Sequence, residues 1–262
     1  MKNLQILSDL HFEHHHDEGE SFMSKLNPEG VDILVMAGDI APTHGGILQN
    51  AFHEVCKKYK NVVYVSGNHE YYKSSIRLGN DRLSKVKIKN LHILHNEAKT
   101  VDGVRFYGGT MWFPEAYDPM TQLAKTRMND FYQISDMEPE CYRENTDFVN
   151  KYGLNMTDKT VVLTHHLPSP ESTPHRFRRS HLNPFFVCDM QDKIACCTVP
   201  QLWIHGHTHD QTDYEMHVTY PLTPEEKPET LRVVANPLAY PGEPSGLQYQ
   251  EKLVITVKEV NE

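Results

Sequence analysis

No stretch of the 262-residue chain stays apolar over the ~20 residues that a membrane-spanning helix requires. The first residues, Met1-Lys2-Asn3-Leu4-Gln5-Ile6-Leu7, lack the long apolar centre of a secretory signal. A cytoplasmic protein, complete at its N-terminus, is therefore expected. Cysteine is sparse. The five present (Cys56, Cys141, Cys188, Cys196 and Cys197) form no Cys-x-x-Cys pair, and their odd number and irregular spacing argue against a disulfide framework. Positive charge is also in deficit: 26 Lys and Arg against 35 Asp and Glu leave a net −9. No global field then draws the chain onto nucleic acid or an anionic membrane, although a small anionic substrate could still be held by local charge. No internal repeat, low-complexity tract or Ser/Gly linker divides the sequence. A single domain over residues 1–262 follows, long enough to bury a core without covalent staples. Histidine, by contrast, is plentiful, with 17 residues, and its placement carries the functional argument.

Short apolar runs rich in Val and Ile recur between turn residues: 4–8, 31–37, 62–66, 91–94, 104–107, 160–164, 202–204, 231–234 and 253–257. Their length and composition predict strands. Between the second and third, Leu48, Ala51, Phe52, Val55 and Tyr59 repeat at helical spacing, and a second amphipathic stretch runs from Cys141 to Tyr152. Strands alternating with helices imply an α/β protein. The Pro-rich segments 168–184 and 221–228 read as surface loops, and Asn236-Pro237 as a turn before the last strand.

Five polar clusters each follow directly on an apolar run: Asp9-Leu10-His11, Gly38-Asp39, Gly67-Asn68-His69-Glu70, Thr164-His165-His166, and His205-Gly206-His207-Thr208-His209. In α/β sheets, ligand-binding groups gather beyond the carboxyl ends of strands, so five loops so placed can converge. On an extended backbone, Asp-x-His and His-x-His would point both side chains to one side. Asp9, His11, Asp39, Asn68, His165, His207 and His209 offer seven O or N donors, whereas one first-row metal takes about four to six. The set suits two ions sharing a carboxylate, and metal pairs about 3.5–4 Å apart are a standard apparatus for displacement at phosphorus. Imidazole, carboxylate and amide donors without thiolate fit Mn, Fe, Zn, Ni or Co.

These motifs, in this order over residues 9 to 209, resemble the five motifs of the calcineurin-like metallophosphoesterase family. The resemblance implies a four-layer α/β/β/α sandwich with two mixed β-sheets and a metal site at one edge. It implies that Asp9, His11 and His209 hold one divalent ion, that Asn68, His165 and His207 hold the other, and that Asp39 bridges them as a catalytic ligand. It further implies that a hydroxide shared by the ions attacks phosphorus in line, that His69 is the catalytic histidine protonating the leaving oxygen, and that Glu70 orients His69. His165 is taken as the ligand of its pair, which leaves His166 to contact a ligand residue or the substrate.

Arg176, Arg178 and Arg179 follow His165 in a Pro-rich loop, where a guanidinium could clamp a phosphate; surface solvation is the alternative. His14, His15 and His16 read as a solvated loop, Trp112 and Phe113 as either site rim or core, and the tail after Val234 as without chemistry. Segments 110–130 and 168–184 are candidates for shaping substrate access. At the second motif, Gly38-Asp39-Ile40-Ala41-Pro42-Thr43-His44 lacks the second Asp and the Arg of the protein-phosphatase branch. The expected activity is hydrolysis of a small phosphodiester or phosphomonoester. A nuclease and a non-catalytic binding scaffold on the same fold are the alternatives; retention of His69 argues against the scaffold, and the negative charge against the nuclease.

Overall fold

A computed structural model of the chain describes residues 1–218 and 229–260; the Pro-rich stretch 221–228 lies outside them. The strands are β1 (Lys2–Leu7), β2 (Ile33–Ala37), β3 (Val62–Val65), β4 (Leu91–Ile93), β5 (Glu97–Val101), β6 (Val104–Gly108), β7 (Thr160–Leu163), β8 (Leu202–His205), β9 (Thr212–His217), β10 (Thr230–Ala235) and β11 (Val254–Val257). The helices are α1 (Glu20–Lys25), α2 (Ile47–Lys58), α3 (Ile76–Ser84), α4 (Pro119–Lys125), α5 (Asp130–Gln133), α6 (Met137–Asn155) and α7 (Gln191–Ala195).

One sheet has the order β11-β1-β2-β3-β4 and the other β5-β6-β7-β8-β10-β9. Both are mixed: the inner pairs run parallel, while β11, β5 and β9 are antiparallel edge strands. The parallel strands β2 and β3 are buried at every position, as strands covered on both faces must be. The strands missed from sequence, β5 and β9, contain Glu97, Lys99, Asp213 and Glu215, which lie exposed. An edge strand with one face in water needs no apolar run and is blunted by charge.

Alternation along β2 builds the layers. Ile33, Val35 and Ala37 face Phe106, Val161, Leu163 and Ile204 of the second sheet, whereas Leu34 and Met36 face Leu48, Phe52 and Val55 of α2. On the far side, Tyr107, Val162 and Trp203 pack against Phe148 and Tyr152 of α6 and Ile194 of α7. The result is the α/β/β/α sandwich that the motifs imply. Trp112 and Phe113 join a separate apolar cluster with Tyr71, Met128 and Phe185, so they are core rather than site rim. Among the described residues no helix is long and apolar enough to cross a membrane.

Candidate metal centre

The five motif loops leave the carboxyl ends of β1, β2, β3, β7 and β8 and are stitched across the sandwich by hydrogen bonds. The amides of Asp9 and His11 donate to the carbonyls of Gly38 and Asp39 (both 3.0 Å), and that of His207 to Asp9 Oδ1 (2.8 Å). Asp9, His11, Asp39, His207 and His209 all take left-handed backbone, with φ of 50°, 47°, 55°, 77° and 56°. Sequence periodicity assumed extended alternation; the chain instead turns sharply at each of these residues. Such conformations cost of order 1–3 kcal/mol apiece and persist where surrounding structure holds them, commonly at functional sites.

Glycine allows the loops to close. A Cβ on Gly38, at φ +83°, would stand 2.6 Å from both the Gly67 amide nitrogen and His165 Nδ1. Gly38→Ala therefore combines left-handed strain with overpacking and is expected to cost about 2–4 kcal/mol. Denaturant unfolding of the metal-free protein measures this, and an unchanged midpoint would contradict it.

The side chains form two groups that meet at Asp39. Potential ligand atoms of Asp9, His11 and His209 lie within 4.8 Å of one another, as do those of Asp39, His165 and His207. His11 Nε2 and His209 Nε2 are 2.9 Å apart, and Asn68 Oδ1 is 3.1 Å from His165 Nε2. Asp39 Oδ2 lies between the groups, 3.3 Å from His165 Nε2 and 3.7 Å from His11 Nε2. Among the described residues, Asp9 Oδ2 and His207 Nε2 are buried without a hydrogen-bond partner, although buried polar atoms are normally paired. Lone pairs converging on one spot, with orphaned oxygen and nitrogen among them, fit a pair of cations.

The far side of several imidazoles is anchored. His165 Nδ1 donates to the Ala37 carbonyl (2.8 Å) and His209 Nδ1 to Glu243 Oε2 (2.8 Å), leaving each Nε2 lone pair free to ligate. Burial alone would raise the Asp39 carboxyl, but His165, His69 and His11 outweigh it and hold it well below the usual carboxylate range. Burial would likewise lower His165, yet the Asp39 carboxylate outweighs it and pushes the imidazole up to about 10 in the metal-free chain, so a cation at Nε2 would take the place of that proton. His207 is held well below the usual imidazole range by burial and by His166 and His165, which keeps a neutral donor.

Glu13, Tyr72 and Tyr240, none assigned a role from sequence, surround His69. Its Nδ1 donates to Glu13 Oε1 (2.9 Å), its Nε2 faces the Tyr240 hydroxyl (3.1 Å), and its ring stacks on Tyr72 at 4.0 Å. Burial, which would raise Glu13, is outweighed by bonds to His11 and His69 that bring it down to about 2. Glu70 does not orient His69. Its carboxylate accepts the backbone N–H groups of Asp39, Ile40 and Gly67 (3.0, 2.8 and 2.8 Å) and so ties the second motif loop to the third. Three convergent donors hold this side chain where His69 offers none.

A cleft of about 420 Å³ opens over the centre, lined by Asp39, Asn68, His69 and His207 and walled by Tyr72, Phe177, Phe186 and Tyr240. Segments 110–130 and 168–184 both contribute to it, as expected. The arginine expectations fare differently. Arg176 pairs through both terminal nitrogens with Asp210, and with Arg178 it lines a neighbouring groove of about 1220 Å³. Arg179 is exposed and lines neither cavity. The cleft takes Arg127 instead, from the loop between α4 and α5. His166 is fully buried and lines neither cavity; its ring lies 4.3 Å from that of His207 and 5.1 Å from Trp112, so it backs a candidate ligand. Tyr240 and Glu243 correct the reading of the tail as inert: the turn at Asn236-Pro237 bridges to Ser8 and so carries the following residues against the site.

The sequence profile of the calcineurin-like phosphoesterases matches residues 4–211. An uncharacterized protein, L509, of Acanthamoeba polyphaga mimivirus is 24% identical over 241 residues, which cover 80% of this chain and 85% of the viral protein. Among solved structures, the phosphopantetheinyl hydrolase PptH of Mycobacterium tuberculosis superposes with a TM-score of 0.67 at 16% identity, over 93% of this chain and 94% of that one. TT1561 of Thermus thermophilus gives 0.54 at 12% identity, over 90% and 89%. At such identities these two speak for the fold alone, which is the one described above. The family profile spans most of the chain and all five motifs of the site: this protein belongs to the calcineurin-like phosphoesterase family and is a metal-dependent phosphoesterase.

Proposed function

We propose that the chain acts as one cytoplasmic domain that hydrolyses a small phosphodiester or phosphomonoester with two divalent cations. Asp9, His11 and His209 would hold one ion, Asn68, His165 and His207 the other, and Asp39 both. The observation that carries this reading is the position of Asp39 Oδ2 between His11 Nε2 and His165 Nε2, where a single carboxylate faces both donor groups. Bound there, such a pair supplies Lewis acidity at the phosphoryl oxygens and makes water acidic enough to attack near neutral pH.

The chain's own residues do the rest. His69 holds a proton for the leaving oxygen at Nε2, while Glu13 fixes the opposite ring nitrogen and the Tyr72 ring fixes its tilt. Burial, which lowers His69, is outweighed by the Asp39 and Glu13 carboxylates, which raise the imidazole above its usual range. The cleft of about 420 Å³ matches the size of small-molecule sites. Its aromatic walls would exclude water around the ester, and Arg127 would meet a phosphate or a second anionic group. The M. tuberculosis hydrolase is named for a phosphopantetheinyl substrate, and compounds of that class belong in a substrate screen.

The test is metal-stripped protein reloaded with Mn²⁺ and given bis(p-nitrophenyl) phosphate or p-nitrophenyl phosphate. Metal-dependent turnover is expected; no turnover of either ester with Mn, Fe, Zn, Ni or Co would overturn the reading. The anchoring carboxylates give a graded check. Glu243→Gln removes the charge behind His209 Nδ1 and is expected to weaken metal binding about 10–100-fold. Calorimetric titration with Mn²⁺ would read this, and wild-type affinity would mean that the contact is incidental.

A further inference from the structure

The third motif is gripped from outside the five motifs. The segment between β6 and α6 crosses to the residues that follow His69: the Lys73 amide donates to the Gln133 carbonyl (2.8 Å), and the Ser135 amide to the Ser74 carbonyl (2.9 Å). Asp136 accepts from the Ile76 amide (2.6 Å) at the start of α3. At the centre of this clasp is Asp130, 1% exposed, a carboxylate whose burial is costly unless donors meet it. Its Oδ1 has two, and both come from the third motif region: Asn68 Nδ2 (2.9 Å) and the Tyr72 hydroxyl (2.7 Å).

An asparagine amide has two nearly isosteric ends, and only the oxygen can ligate a cation. With Nδ2 committed to Asp130 and 3.3 Å from the Tyr72 hydroxyl, the opposite end of Asn68 is Oδ1, 3.1 Å from His165 Nε2. An acceptor at the Asp130 position therefore decides which end of Asn68 faces the centre. The same acceptor fixes Tyr72, whose ring lies under His69. We propose that Asp130, on the segment after β6, is a positioning residue for the metal centre: by accepting from Asn68 Nδ2 and the Tyr72 hydroxyl it presents the Asn68 oxygen to the second ion and sets the seat of His69. The proposal rests on the two-cation reading given above, with Asn68 as a ligand.

The role depends on where an acceptor atom sits and not on its charge, which separates it from a general electrostatic effect. Full-length wild type, Asp130→Ala, Asp130→Asn and Asp130→Glu are stripped, titrated with Mn²⁺ and analysed for bound metal per chain, with circular dichroism as the check on folding. Wild type is expected to bind two ions. Asp130→Asn keeps an oxygen in place and is expected to bind both within about threefold of wild-type affinity, whereas Asp130→Ala weakens the second ion about 10–100-fold and leaves the first. Asp130→Glu keeps the charge but displaces the acceptor by one methylene, so it is expected to behave like the alanine variant, and it stands in for alanine should that chain not fold. Two ions held normally by Asp130→Ala or Asp130→Glu would overturn the proposal, as would loss of the second ion in Asp130→Asn. A wild type that binds fewer than two ions would overturn the two-cation reading itself, a different result from two ions bound normally by every variant.

Discussion

Asp39→Asn is expected to lower kcat by about 10²–10⁴-fold while leaving the metal-free fold intact. The magnitude follows from what the side chain would do: a bridging carboxylate holds both cations, and metal stabilisation of charge at phosphorus contributes several kcal/mol, or about two to four decades of rate. The substitution keeps the volume. It also keeps an acceptor for the His69 amide, which now donates to Asp39 Oδ1 at 2.9 Å, so the third motif loop retains its anchor. What it removes is the second oxygen, the one between His11 and His165; an amide nitrogen there has no lone pair to give. Bound metal should fall from two ions per chain to one or fewer by elemental analysis. A variant that keeps both ions and most of its activity would show that the two donor groups do not share Asp39, and the dinuclear reading would go with it.

The residues visible from sequence and those missed differ in how they reach the site. Asp9, Asp39, Asn68, His165 and His207 follow apolar strands directly, and a strand end fixes its next residues in space. Their convergence was therefore readable once the strands were. Arg127, Tyr240 and Glu243 sit on irregular segments and Asp130 opens the single-turn helix α5, all remote from any motif, and no local pattern marks them. Tyr240 approaches because Asn236 is held inside the sheet, its Nδ2 donating to the carbonyls of Ile6 and Gln250 (2.8 and 3.0 Å), a contact between chain ends that periodicity cannot express. Glu13 is the exception. It lies two residues beyond His11, and the left-handed turn at His11 brings it back beneath both His11 and His69 (3.4 and 2.9 Å). Glu70 misled for the opposite reason: adjacency to His69 in sequence suggested partnership, whereas three backbone N–H groups offered its carboxylate a better site. The arginines show the same limit, since Arg176 is claimed by Asp210, 34 residues away.

His69→Ala separates the two parts of the proposed chemistry, because it should damage proton delivery and spare the ions. Loss of a positioned general acid costs about 10²–10⁴-fold in rate. That cost should track the leaving group: a p-nitrophenolate departs with little help, whereas an alkoxide needs its proton. The variant is thus expected to lose little on p-nitrophenyl esters and most on alkyl esters, at unchanged metal content. His69 lies close enough to His11 and Asp39 to form a potential ligand group with them, so ligation is the competing role. The environment of the ring argues against it. Its Nδ1 is committed to Glu13, its face to Tyr72, and its Nε2 points to Tyr240 across the cleft, whereas Nε2 of His165 and His209 point at Asp39 and Asp9. Should His69→Ala lose an ion, or lose the same factor on every ester, His69 is a ligand or a structural support, and the proton must come from elsewhere. Glu13→Gln sharpens the distinction: it keeps the packing beneath the imidazole but removes the charge that favours the imidazolium, so it should reproduce the leaving-group dependence of His69→Ala at smaller amplitude.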